Sequence, residues 1–193
     1  RRYDKKAGAR MKSAVTHVPL TTGGRLNDIL QEWALRHVQI KLGDYFNNAR
    51  VLFFSGISNY KLATAMAEYT QNLEFADALL QLGVPKMLTS LDALELYTSG
   101  AHYVVDLTPD ALMASTPVKA WTNFVLRQAM RDATVIVAPV HELDGFGAEE
   151  LSGKTIVTST VNDGRIAQFR KKGVHMVVDG APSMFDHVLS PSL

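Results

Sequence analysis

Four short stretches of the chain hold residues whose types and spacing could do chemistry. Ser55-Gly56-Ile57-Ser58-Asn59 follows an apolar run and opens a helical pattern. Main-chain amides at a helix start favour anions, so Ser55, Gly56, Ser58 and Asn59 could cradle a phosphate. One glycine stands where G-x-G-x-x-G has three, and a plain strand-to-helix turn fits the same residues. Pro139-Val140-His141-Glu142 offers an imidazole for proton transfer near neutral pH, or a surface histidine. Thr158-Ser159-Thr160-Val161-Asn162 offers the hydroxyls of Thr158 and Thr160 to a phosphate, or as caps for the next helix. Asp179-Gly180-Ala181-Pro182 places Asp179 to meet a ribose or substrate hydroxyl, or to close a turn. If the protein is catalytic, His141 carries the proton and Asp77 or Asp179 orients it.

Other chemistries lack their residues. The six histidines share no close ligand spacing, so no metal site is expected. The chain has no Cys, which removes disulfides, thiolate zinc sites and Cys nucleophiles. Neither a G-x-S-x-G elbow nor a G-K-[ST] phosphate loop occurs. The 193 residues carry a net charge of +1, which argues against an electrostatic footprint for nucleic acid or membrane. No apolar run approaches the roughly 20 residues of a membrane span. A cytoplasmic protein with a small-molecule partner is expected.

The elements that must position these loops alternate. Val51-Leu52-Phe53-Phe54 is an unbroken apolar run, as in a parallel strand covered on both faces. Short strands are also expected at 73–75, 134–137, 154–158 and 174–178, and more weakly at 102–105. Between them lie a helix directly after the first strand, with Leu62, Ala63, Met66 and Ala67 along one side, and helical patterns near 90–98, from Thr116-Pro117 onward, and over 163–172. A further helix over 25–42 carries Leu26, Ile29, Leu30, Trp33, His37 and Ile40 along one face. The alternation predicts an α/β fold, a mostly parallel sheet of about five strands flanked by helices, Rossmann-like. Ligands of such sheets bind outside the carboxyl ends of the strands, where all four loops fall.

The stretch VLFFSGISNYKLATAMAEYTQNLEFADALLQLGVP resembles the bacterial quinate 5-dehydrogenase-like family. The likeness rests on Ser55-Gly56, Leu73-Glu74-Phe75-Ala76-Asp77 and Leu82-Gly83-Val84-Pro85. It continues through Thr116-Pro117, the strand at 134–137 before His141, and GKTIVTSTVNDGRIAQFRKKGVHMVVDGAP. It covers most of residues 1–182. The resemblance implies a Rossmann-like oxidoreductase using NAD or NADP, acting on a small hydroxy acid.

The expected organisation is a basic leading segment or linker over 1–24, one α/β domain over 25–182, and a tail over 183–193. Both ends read as cut from a longer protein, and a homo-oligomer is the other form of assembly considered. Beside the dehydrogenase stands a non-catalytic reading: a ligand-binding, regulatory or assembly module using the same fold.

Overall fold

The computed structural model describes residues 24–105 and 116–180. Nearly all of the expected leading segment, and all of the expected tail, lie outside these residues. The elements run α1 (Gly24–Lys41), β1 (Val51–Phe53), α2 (Tyr60–Ala67), β2 (Leu73–Phe75), α3 (Asp77–Leu82) and α4 (Leu91–Val105). There follow α5 (Thr116–Asp132), β3 (Val135–Val137), a 3-10 turn (Val140–Leu143), α6 (Ala148–Leu151), β4 (Thr155–Thr158), α7 (Asp163–Lys171) and β5 (Met176–Asp179).

The five strands form one parallel sheet in the order β2-β1-β3-β4-β5. This is a doubly wound, Rossmann-like α/β fold. Alternate strand residues point to opposite faces, so each central strand feeds two cores. Val51, Phe53, Val135, Val137 and Val157 pack with Leu35, Met66 and Leu94 of α1, α2 and α4. Leu52, Ile136 and Ile156 pack with Leu79, Met130, Leu151 and Phe169 of α3, α5, α6 and α7. The chain steps one way from β1 to β2 and the other way from β3 to β5. A single crossover hand therefore puts α2 and α7 on opposite faces.

Burial of Val51 through Phe54 is nearly complete, as an unbroken apolar run in a central parallel strand requires. One expectation fails. Residues 102–105 are helical, the last turn of α4, where branched residues had suggested a strand. In α1 part of the apolar face points outward: Ile29, Trp33 and Ile40 are 58%, 62% and 83% exposed and Trp33 stacks on exposed His37, while Leu30 is half-buried. The buried positions are instead Gln31, Leu35 and Gln39. Gln39 is inside because its amide is used there: Oε1 accepts from the Phe46 amide at 2.8 Å, and Nε2 donates to Asn47 at 2.9 Å. A polar side chain that satisfies a buried main-chain group can take a core position from an apolar one.

The free edge of β2 is covered in part. Phe75 and Leu88 exchange two antiparallel hydrogen bonds at 2.8 and 3.0 Å, which folds residues 84–90 back beside the strand.

Candidate functional site

The loops after β1, β3, β4 and β5 all leave the carboxyl end of the sheet, because the strands are parallel. The loop after β1 is closed from the neighbouring strand. Asp77, fully buried at the start of α3, accepts from the Gly56 amide at 2.7 Å and the Ile57 amide at 3.2 Å. The Ser55 hydroxyl lies 3.2 Å from the same carboxylate and 3.0 Å from the Ser58 hydroxyl. Burial pushes the Asp77 carboxyl up, while these donors favour its ionised form. Asn59 donates from Nδ2 to the Ser55 carbonyl at 2.8 Å, which fixes the turn into α2.

The loop after β4 repeats the device. Asp179, at the end of β5, accepts from the Thr160 and Val161 amides at 3.0 and 3.1 Å. These bonds hold Thr160 at φ 63°, a left-handed conformation that a β-branched residue adopts only under constraint. The helix after this loop is capped by Asn162, whose Oδ1 accepts from the Arg165 amide at 2.9 Å, rather than by a threonine hydroxyl.

Gly56 has a packing reason to be glycine. A Cβ built there would lie 2.4 Å from Phe75 Cδ1 and 2.7 Å from Leu94 Cδ2. The missing side chain makes room for the core beneath the loop, so Gly56 is buried and not open to a ligand.

Between the loops lies a cleft of about 50 Å³ walled by Gln31, Asn59, Pro139, Thr158 and Ser159 over Val137 and Val157. It sits where the strand order reverses between β1 and β3 and reaches to β4. That is the ligand position of doubly wound sheets. None of its lining side chains is charged. The hydroxyls of Thr158 and Thr160 are buried and have no hydrogen-bond partner among the described residues.

The structure thus brings Asn59 and Thr158 together in one cleft. Ser55, Gly56, Ser58 and Asp77 form the closed loop beside it, and Thr160 and Asp179 form the other. His141 stands apart, in the 3-10 turn after β3. Its side chain is 75% exposed and its charged neighbour is Glu142, with 3.9 Å between Nε2 and Oε1. Asp77 does not meet His141: both Asp77 oxygens are engaged by the β1 loop, and no hydrogen bond joins the two residues. Gln31 was missed by the sequence reading. Its signal was the spacing Gln31-Leu35-Gln39, one residue per helical turn on the buried side of α1.

A dinucleotide fits this arrangement poorly. The amides of Gly56 and Ile57, which would meet its phosphates, already bind a carboxylate, and so do those of Thr160 and Val161. A phosphate there would face Asp77 or Asp179 across a few ångströms. Among the described residues no group of His, Asp and Glu could hold a metal ion, and no helix is long and apolar enough to cross a membrane.

Fold and crevice together define a doubly wound α/β domain with its cleft at the strand-order reversal. The chain belongs to the family described as Domain of unknown function (DUF8754), whose model matches residues 25–193. No curated protein and no solved structure matches it.

Proposed function

We propose that this chain is a small-molecule-binding domain, and that its ligand is an uncharged, hydroxyl-bearing molecule held in the cleft above β1, β3 and β4. The Thr158 hydroxyl carries the reading. It is buried in the cleft wall without a partner among the described residues. A hydroxyl left so costs about 1–3 kcal/mol, which a ligand oxygen would offset. Gln31, Asn59 and Ser159 add neutral donors and acceptors, and Val137, Pro139 and Val157 add apolar wall. This is the usual composition of a small-ligand site. A cleft of about 50 Å³ admits a few water-sized groups, so the ligand is a few carbons long or inserts its hydroxylated end.

The oxidoreductase reading, with NAD or NADP, is the second one. Its support is the position of the cleft at the strand-order reversal, where dinucleotides bind in this class of sheet. The loops closed by Asp77 and Asp179 put simple ligand binding ahead of it.

The test is an NMR titration with glycerol, ribose, NAD and NADP, followed at the amides of Asn59, Thr158 and Ser159. Saturable shifts with glycerol or ribose, weakened at least tenfold in Thr158→Val, are expected. Saturation by NAD or NADP alone would favour the dehydrogenase. No saturable shift with any of the four would overturn both readings.

A further inference from the structure

We infer that the opposite end of the sheet carries a second, independent site, which takes a small zwitterion bearing an ammonium and a carboxylate, an α-amino acid in its simplest form. A cavity of about 270 Å³ opens at the amino ends of three neighbouring strands. That volume is at the lower edge of the roughly 300–1,000 Å³ of small-molecule sites, the size of a metabolite rather than a nucleotide. The residues just before each strand build it: Asn72 before β2, Arg50 before β1, and Asp132 before β3. Glu74 projects from β2 into the same space, with Thr89 of the returning strap alongside.

The charges in this cavity are arranged but not spent. Glu74 is half-buried and feels both the negative charge of Asp132 and the positive charge of Arg50. Yet neither the Glu74 carboxylate nor the Arg50 guanidinium makes a hydrogen bond or ion pair among the described residues. Asp132 accepts one hydrogen bond, from Gln128 Nε2 at 3.2 Å, and faces the charges of Glu74 and Lys154. The nearby Lys154 is committed elsewhere: its Nζ donates to the carbonyls of Arg131 and Ala133 at 2.6 and 2.5 Å. Among the described residues lining the cavity, Arg50 is the cation available to a ligand carboxylate, and a guanidinium suits a carboxylate bidentately. Glu74 and Asp132 are the anions available to an ammonium. Only a molecule with both charges close together satisfies both walls.

The experiment is an NMR and calorimetric titration of the whole chain with L-serine, L-glutamine and L-ornithine, beside their N-acetyl and α-amide derivatives. Saturable binding of at least one free amino acid is expected, with shifts at Arg50, Gln71 and Thr89. Blocking either end of the ligand should weaken it at least tenfold. Glu74→Gln and Arg50→Met should each do the same while circular dichroism stays unchanged. Asn59→Leu, at the far end of the sheet, should leave this binding as it is, which separates the site from the cleft above β1, β3 and β4. Absence of saturable binding by all three amino acids, or equal binding of the blocked derivatives, overturns the inference. So does undiminished binding in a folded Glu74→Gln protein.

Discussion

The carboxylate of Asp77 accepts the amide of Gly56 at 2.7 Å, so the residue that follows β2 closes the loop that follows β1. An internal anion occupies the place where a sheet of this class usually receives an external one.

Asp77→Ala should destabilise the protein by about 3 kcal/mol, because it strands the buried Gly56 amide together with two further donors. Urea denaturation followed by circular dichroism measures this. A loss below about 1 kcal/mol would mean that the loop does not depend on the carboxylate.

Gly56→Ala should cost at least about 2 kcal/mol, since its methyl group would overlap Phe75 and Leu94. Gly164→Ala is the control. Its Cβ would meet nothing closer than Asn162 Oδ1 at 3.5 Å, within a helix, and a gain of about 0.5–1 kcal/mol is expected. Equal effects of the two substitutions would refute the packing role assigned to Gly56.

Phe53→Ala should cost on the order of 3–5 kcal/mol. Phe53 is fully buried in the central strand and stacks on Phe75 with ring centroids 5.2 Å apart. Thermal and urea unfolding of the variant decide this, and a loss of under about 1 kcal/mol would contradict the strand's position.

The contribution of Glu74 to stability should fall as pH rises from about 4.5 through its folded-state titration. Burial pushes this carboxyl up, Asp132 pushes it further, and Arg50 opposes them. A carboxyl raised in the folded state binds its proton more readily there than in the unfolded chain. Its contribution is thus complete below the unfolded value and lost above the folded one. Glu74→Gln should flatten this slope and raise the melting temperature at pH 7 by about 1–2 °C. An unchanged pH profile would show that Glu74 titrates as it does in the unfolded chain.

Much of the fold could be read from the chain because its signals are local. Val51 to Phe54 announces a strand covered on both faces, and Gly43 and Gly173, at φ 62° and 75°, end their helices as glycines commonly do. The site was less legible because its decisive contacts join distant residues. Asp77 and Gly56 lie 21 residues apart, and their bond exists only because β2 lies beside β1. The outer face of α1 shows the same limit. Its apolar stripe obeys helical spacing, but the inward side was set by what Gln39 could bond to and by Gln31 packing under Gly180. Spacing reports periodicity, and periodicity does not say which side a sheet will cover.

The order of the strands also has a consequence for folding kinetics. β1 and β2 follow one another in the chain, as do β3, β4 and β5, so two halves can form from nearby segments. The joint between them, β1 against β3, brings together Arg50 and Thr134, which lie 84 residues apart. Joining such distant segments closes the largest loop in the sheet, the kind of contact whose loop-closure entropy disfavours early formation. The cleft beside Asn59, Pro139 and Thr158 straddles this joint. Its walls assemble only when the halves meet, so a molecule bound there would stabilise their union.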